Sequence, residues 1–187
     1  MDFVLSIEHE ERDFIAACIR EENWAQKQLY MDHYGSMMGV CLRYAGDSDE
    51  ALDILHEGFI KVFRNIRKYK AGTSLSAWIR RIMINTAIDY YRKKSRRRTD
   101  DIEQAYDLSS DVPDAVSQFS EKEILGCIQM LSPAYRTVFN MYVIEGYAHK
   151  EIAEKLDISE STSRSNLVKA RIKLKALIQY NREKNAG

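Results

Sequence analysis

Residues 146–177 read GYAHKEIAEKLDISESTSRSNLVKARIKLKAL, and this stretch predicts two helices joined by a tight turn. In HKEIAEKL, the apolar residues Ile152, Ala153 and Leu156 recur at helical spacing and predict one buried face. The segment 157–159 interrupts that pattern, because Asp tolerates the left-handed backbone of a sharp turn and Ser is a good N-cap. The second helix is therefore expected to begin at Glu160.

The second helix of this stretch combines an apolar face with polar ones. Its apolar positions recur at steps of three and four residues and comprise Leu167, Ala170, Leu174 and Leu177. Its remaining faces carry the candidate DNA-contacting residues Ser161, Thr162, Arg164, Ser165, Val168, Lys169 and Arg171. This is the layout of a helix-turn-helix, in which the second helix enters the major groove. An ordinary helical hairpin with a solvated basic face would explain the same pattern.

Charge is distributed unevenly along the chain, although its 28 basic and 28 acidic residues give a formal net charge of zero. Residues 61–98 contain thirteen Lys or Arg and one acid, whereas residues 99–117 contain six acids and no base. Residues 1–23 contain seven acids and two bases. Basic blocks set among acidic ones suit a protein that binds a polyanion through part of its surface. The neutral total therefore does not exclude a nucleic-acid partner.

The cysteine, glycine and proline content indicates a helical protein of a reducing compartment. Cys18, Cys41 and Cys127 form no CxxC pair and lie in apolar helical contexts, so buried thiols are expected. The 8 glycines and 2 prolines suit a chain rich in helix. No apolar run approaches the roughly 18 residues that a membrane span needs, and no signal peptide is recognisable. We therefore expect cytoplasmic localisation without membrane insertion.

The amino-terminal half is predicted to consist of helices. Apolar spacing predicts a short helix over residues 10–20 and a longer one over residues 24–44. Gly35 and Gly39 lie inside the longer helix, where their lack of a side chain would allow another helix to approach closely.

A third helix, beginning near Asp47, is expected to bury an apolar stripe and expose a charged one. The apolar stripe comprises Leu52, Leu55, Phe59, Val62 and Ile66, at steps of three and four. The opposite side carries Asp53, Glu57 and Lys61 at steps of four residues. That side is interpreted either as a solvated stripe or as a docking surface for a basic partner helix.

A loop and a basic helix follow the third helix. Residues 68–74 read KYKAGTS, in which Gly72 marks the loop and Ser74 is a candidate cap for a helix over residues 75–98. Trp78 is interpreted as a core residue of that helix. Another face carries Arg81, Asn85, Asp89 and Arg92, and the helix ends in RKKSRRR. Because Asn reads bases and basic side chains neutralise phosphates, this helix suits a nucleic-acid groove.

An acidic segment separates these helices from the carboxyl-terminal ones. Residues 99–118 have no sustained periodicity and are interpreted as a flexible linker. Helix starts follow at Ser120, whose capping-box partner is Glu123, and at Ser132-Pro133. The chain is thus predicted to be all-α, with two small helical domains joined by this linker.

Three stretches, in this order, resemble bacterial RNA polymerase sigma factors of the sigma-70 family, in the extracytoplasmic-function (ECF) subfamily. The first, DILHEGFIKVFRNI from residue 53, is similar to the polymerase-docking helix of the family's second conserved region. The second, SLSAWIRRIMINTAIDYYRK from residue 74, is similar to the family's helix for promoter melting and minus-ten recognition. The third, LSPAYRTVFNMYVIEGYAHKEIAEKLDISESTSRSNLVKAR from residue 131, is similar to its fourth region, which binds the minus-thirty-five element.

The resemblance implies a division of the chain into two working parts. Residues 1–98 would form a four-helix second-region domain, residues 99–118 the linker, and residues 119–187 a fourth-region domain with a winged-helix-like helix-turn-helix. Polymerase docking would involve Asp53, His56 and Glu57, although the family often has Gln at the position of His56. Minus-ten recognition and melting would involve Lys70, Gly72, Thr73, Ser74, Arg81, Asn85, Asp89 and Arg92. Upstream recognition would involve the seven residues of the recognition helix named above.

Core RNA polymerase, promoter DNA and an anti-sigma factor are the partners that the resemblance implies. No phosphate-binding loop, metal-ligand cluster or nucleophile–base pair is recognisable, so neither catalysis nor a cofactor or metal is expected. Two other classes would explain part of the pattern. An autonomous helix-turn-helix regulator would explain residues 160–177 but not the earlier basic helix, and a recombinase-like enzyme would need a catalytic cluster.

Overall fold

The computed structural model describes residues 2–97 and 120–185, and every regular element within them is a helix. The α-helices are α1 (Asp2–Ile19), α2 (Asn23–Tyr44), α3 (Ser48–Asn65), α4 (Leu75–Arg97), α5 (Glu121–Gln129), α6 (Pro133–Phe139), α7 (His149–Leu156) and α8 (Glu160–Asn185). A 3-10 turn over Ile66–Lys68 follows α3, and a π-helical turn over Asn140–Ile144 follows α6. The predicted linker, residues 99–118, lies outside the described residues.

The chain divides into two compact helical units. The first comprises Met1–Cys41 with Ser48–Ala87, and the second comprises Leu42–Asp47 with Ile88–Gly187. Residues 42–47 belong to the second unit, where Arg136 donates a hydrogen bond to the carbonyl of Ala45. The predicted all-α fold with two helical domains is confirmed. No strand occurs among the described residues, so the helix-turn-helix carries no β-hairpin wing there.

Helices α1 to α4 all contribute buried apolar side chains to the first unit. In α3 the predicted stripe is buried at Leu55, Phe59 and Val62, and the ring of Phe59 lies 4.6 Å from that of Tyr30. Helix α1 begins eight residues before the predicted start at residue 10. The burial of Cys18 and Cys41 as free thiols, together with that of Cys127 in the second unit, agrees with the sequence.

The close approach of two helices occurs at a different glycine from those predicted. A Cβ atom at Gly35 or Gly39 would meet nothing within 4 Å, so neither glycine is needed for packing. A Cβ atom at Gly58 of α3 would lie 2.2 Å from Sδ of Met83 on α4. The prediction for α2 was therefore wrong, because an unfavourable helix residue indicates close packing only when a neighbouring element occupies the space it leaves.

The second unit is organised around the long helix α8. Its buried residues Ala170, Leu174 and Leu177 pack with Cys127 and Ile128 of α5 in one apolar cluster. The predicted capping box of α5 is present, since Ser120 N donates to Glu123 Oε2 at 2.9 Å and Glu123 N donates to Ser120 Oγ at 3.3 Å. None of the helices in residues 2–97 and 120–185 combines the length and apolar character that crossing a membrane requires.

Candidate nucleic-acid interface

The turn between α7 and α8 has the backbone that its sequence predicts. Asp157 adopts a left-handed conformation with φ of 60°, and Ser159 Oγ accepts a hydrogen bond from Thr162 N at 3.0 Å. At the other end of α7, Ala148 offers no side-chain cap. The Glu151 side chain still accepts from Ala148 N at 2.8 Å, so half of a capping box holds this helix start.

Helix α8 separates its buried and exposed residues as the sequence predicts. All seven candidate DNA contacts are exposed: Ser161, Thr162, Arg164, Ser165, Val168, Lys169 and Arg171. The apolar positions Leu167, Ala170, Leu174 and Leu177 are buried. Val168 is 55% exposed although nonpolar, and it lies with Ser161 and Ser165 between the flanking cations Arg164 and Lys169. Small side chains at the centre of an exposed helix face allow the helix to approach a surface closely.

Each cation of this face has a partner within the second unit. Arg164 Nη2 lies 2.9 Å from Glu160 Oε2. Lys169 Nζ lies 5.9 Å from the centre of the Tyr135 ring, and Arg171 Cζ lies 5.9 Å from the centre of the Tyr142 ring. Exposed contacts of these kinds contribute about 1 kcal/mol or less, so DNA can exchange them for its own contacts.

His149, which was not predicted as a site residue, lies beside this face. His149 Nδ1 is 2.9 Å from Oγ of the buried Ser163, and its ring stacks on Tyr142 at a centroid distance of 4.5 Å. Burial lowers the pKa of His149, and Arg164 and Arg171 lower it further against the opposing effect of Glu160. Only the tertiary contact between α7 and α8 reveals this pair, because the two residues are 14 positions apart in the chain.

The loop before α4 is a tight turn in the first unit. Gly72 has φ of 84°, a conformation that favours glycine, and Thr73 N donates to the carbonyl of Lys70 at 3.2 Å. Ser74 caps α4, since its Oγ accepts from Ala77 N at 3.2 Å. The four candidate residues Lys70, Gly72, Thr73 and Ser74 are all exposed. The loop therefore presents a short, ordered edge at the start of the basic helix.

The candidate residues of α4 differ in exposure. Arg81 and Asp89 are exposed, whereas Asn85 and Arg92 are half-buried. The side-chain amide of Asn85 carries both hydrogen-bond donors and an acceptor, the groups that bind a base edge. Asp89 and Arg92 line an open depression of about 420 Å³ together with Lys93 and Arg96.

The candidate docking face lies on α3. Asp53, His56 and Glu57 are exposed, and Lys61 Nζ lies 3.2 Å from Glu57 Oε1. Ile60 lies on the same side and is 49% exposed. Ile60 was not predicted as part of this face, although an apolar residue outside the buried stripe of an amphipathic helix was the available signal. The face is therefore acidic with an apolar centre rather than uniformly charged.

Two conserved regions of one protein family match this chain. Sigma-70 region 2 matches residues 29–97 and Sigma-70 region 4 matches residues 121–174, which together amount to about two-thirds of the chain. An autonomous helix-turn-helix regulator or a simple helical hairpin would leave the region 2 match unexplained. Both matches fall on described helices, and they follow each other in the order that the sequence predicts.

Several curated relatives resemble most of the chain. The ECF RNA polymerase sigma factor SigM of Bacillus subtilis is 29% identical over 161 residues, which are 84% of this chain and 96% of that protein. The ECF RNA polymerase sigma-E factor of Haemophilus influenzae is 27% identical over 163 residues, which are 81% and 86% of the two chains. For the ECF RNA polymerase sigma factor SigE of Mycolicibacterium smegmatis, the identity is 26% over 153 residues, 79% of this chain but 59% of that protein. On the two region matches and these relatives, the chain belongs to the sigma-70 family of RNA polymerase sigma factors, in its ECF subfamily.

Proposed function

We propose that this chain binds core RNA polymerase and directs it to specific promoters, with separate surfaces for the polymerase, the melted strand and the upstream duplex. The observation that carries the proposal is the exposed face of α8. Seven polar or small residues lie on it, opposite a buried apolar stripe, in a chain that matches both conserved regions of the family. We assign polymerase docking and the recognition and melting of the minus-ten element to residues 1–98. Upstream recognition is assigned to residues 119–187, and residues 99–118 are the linker.

Polymerase docking is assigned to Asp53, His56 and Glu57 of α3. Their exposure supports this role, and the exposed Ile60 beside them adds an apolar anchor. A binding surface with a nonpolar centre and a charged rim resembles the general anatomy of protein interfaces. If this face of α3 were only solvated, there would be no reason for an exposed isoleucine among three polar residues.

Recognition of the melted minus-ten strand is assigned to the 70–74 loop and α4. Lys70, Gly72, Thr73 and Ser74 would line the place of an unpaired base, while Arg81 and Arg92 contact the backbone and Asn85 reads a base edge. Single strands are bound by such combinations of basic groups and base-contacting side chains. Asp89, an acid within this basic face, would accept a hydrogen bond from an exocyclic amine of a base.

Recognition of the upstream element is assigned to α8. Arg164 and Lys169 flank a centre of Ser161, Ser165 and Val168, which suits close entry into the major groove. Contacts with the phosphate backbone are assigned to Thr162 and Arg171. Binding to the opened strand supplies the free energy for melting in this scheme, so the chain itself catalyses no reaction.

The remaining partners and the location follow from this activity. A protein that works with core polymerase and promoter DNA is placed in the bacterial cytoplasm. An anti-sigma factor that covers one of these surfaces would keep the chain inactive until a signal arrives. Co-purification of a regulatory protein that blocks core binding would support this part of the proposal.

Transcription in vitro tests the proposed function most directly. The purified full chain is combined with core RNA polymerase on genomic fragments, and start sites are mapped with and without the chain. We expect start sites that require the chain and share upstream and minus-ten sequences. Sequence-specific binding of duplex DNA by the chain alone, without any dependent start site, would instead indicate an autonomous regulator.

A further inference from the structure

A carboxylate of α1 is hydrogen-bonded to the loop that precedes α4. Glu11 Oε1 accepts from the hydroxyl of Tyr69 at 2.6 Å, and Glu11 Oε2 accepts from the backbone N–H of Gly72 at 3.1 Å. The Tyr69 hydroxyl also contacts the carbonyl oxygen of Thr73. These partners are 58 and 61 positions from Glu11 in the chain, and α1 lies before residue 29, where the region 2 match begins.

The contacts of Glu11 fix the loop at both of its sides. Tyr69 is only 7% exposed, and its ring centre lies 5.7 Å from that of Trp78 on α4, so the phenol is itself held in place. Gly72 has φ of 84°, which directs its N–H towards α1. Hydrogen bonds to an ionised acceptor are stronger than neutral ones, so one carboxylate joins the two ends of the turn firmly.

The hydrogen bonds of Glu11 show that its carboxylate binds protein groups and not the nucleic acid. Both carboxylate oxygens are used by donors of the protein, and the Gly72 amide is used by Glu11 rather than by a base. Glu11 therefore acts through the loop and not on the DNA.

We propose that Glu11 is a positioning residue for minus-ten recognition: its carboxylate holds Tyr69 and Gly72 so that residues 70–74 are preformed to receive the unpaired base. This inference rests on the proposed function of the loop. A preformed site loses less conformational freedom on binding and distinguishes bases better than a mobile one. Removal of the carboxylate should thus reduce discrimination between bases more than it reduces polymerase binding.

The test measures discrimination as a ratio, so that differences in protein amount or folding cancel. Full-length chain and core polymerase initiate on two templates that differ at one unpaired minus-ten base, chosen from a selection with the wild-type protein. We expect Glu11→Ala to lower the ratio by about tenfold, which corresponds to about 1.4 kcal/mol. The ratio for Glu11→Gln should lie between those of the wild type and Glu11→Ala, since its amide oxygen can still accept one of the two hydrogen bonds. Glu10→Ala, on an exposed neighbour in α1, serves as the matched control.

Tyr69→Phe is a second variant that tests the same contact even if the Glu11→Ala protein does not fold correctly. Tyr69→Phe keeps the ring against Trp78 and removes only the hydroxyl, so its discrimination ratio should also fall. In the double variant, the loss of discrimination, expressed as a free energy, should be smaller than the sum of the two single losses. An unchanged ratio in Glu11→Ala and Tyr69→Phe, with wild-type discrimination intact, would overturn the positioning role alone. A wild-type chain that gives no dependent initiation would overturn the proposed function and this inference with it.

Discussion

Lys169 and Arg171 are two cations of α8 with different surroundings, and we expect different roles in DNA binding. Lys169 flanks the centre of the exposed face beside Ser165 and lies over the ring of Tyr135, whereas Arg171 lies over the ring of Tyr142. Lys169→Ala should relax the preference at particular upstream bases by about 1–3 kcal/mol. Arg171→Ala should weaken all sequences alike and lower the salt dependence by about one charge.

Selection over randomised upstream elements measures this difference. Lys122→Ala, on an exposed position of α5, controls for the loss of one positive charge. An unchanged selected sequence for Lys169→Ala would mean that the recognition helix faces the groove through another side.

The pKa of His149 gives a second prediction at the scale of the residue. Burial lowers this pKa below its usual value, with further lowering by Arg164 and Arg171. Protonation therefore favours the unfolded chain: the contribution of His149 to stability is complete above about pH 6.5, the pKa of an unperturbed His, and is lost as the pH falls. An NMR titration of the imidazole should give a midpoint below that value, and Arg171→Gln should raise it.

Lys175→Gln is the matched control for the titration, because it removes a positive charge from α8 that does not act on His149. A His149 midpoint at or above that of an unperturbed histidine would contradict the packing against Ser163 and Tyr142.

At the scale of the element, replacing two glycines by Ala should change the stability of the protein in opposite directions. Gly35→Ala should stabilise α2 by up to about 1 kcal/mol, because its Cβ meets no neighbour and Ala is the better helix former. Gly58→Ala gains the same propensity but brings its Cβ within 2.2 Å of Met83 Sδ, and such overpacking costs about 1–3 kcal/mol. Since Met83 is flexible, we expect a small net loss of stability.

Urea unfolding followed by tryptophan fluorescence can measure both changes, since Trp24 and Trp78 lie in the first unit. In a Met83→Ala background the added methyl group of Gly58→Ala has room, so the same substitution should become stabilising. Equal effects of Gly58→Ala in both backgrounds would show that Met83 does not set the distance between α3 and α4.

The docking face of α3 supports a further prediction at this scale. Asp53→Lys together with Glu57→Lys should abolish core-polymerase binding without loss of helix content, because each desolvated pair that is broken costs about 2–5 kcal/mol. Loss of the exposed Glu57–Lys61 pair contributes little to that effect. Asp13→Lys, on an exposed position of α1, is the control in the pull-down. If the charge-reversed protein bound core polymerase as tightly as the wild type does, this side of α3 would be simply solvated.

Local sequence patterns predicted most helices because the signals for them are local. Ser120, Ser132 and Ser159 cap helices as expected, and Asp157 adopts the left-handed backbone of the turn. The exposed face of α8 was predictable for the same reason, since a periodic buried stripe fixes the opposite side. The π-helical turn at Asn140–Ile144 was not predicted, because no propensity distinguishes one wider turn from a continuing helix.

Features that depend on tertiary contacts could not be predicted from local sequence patterns. Glu11 was one acid among seven in an acidic segment, and its contacts are with residues about sixty positions away. Gly58 was indistinguishable from Gly35 until the position of Met83 was known. His149 and Ser163 likewise become a pair only when α7 packs on α8. Such contacts have no periodic signature, since they require two elements to meet at one place.

At the scale of the whole molecule, Asn85 in the first unit and the exposed face of α8 in the second unit should carry separable DNA activities. Asn85→Ala in the first unit should reduce start-site melting, seen as lower permanganate reactivity, while upstream duplex binding stays at the wild-type level. Lys169→Ala in the second unit should reduce upstream recognition and leave melting intact on a template that carries an optimal minus-ten element. Because the two residues lie in different units and share no described partner, their free-energy effects should add in the double variant within about 0.5 kcal/mol. Equal loss of both activities in Asn85→Ala would indicate a folding defect, and a strongly non-additive double variant would show that the two units do not read promoter DNA independently.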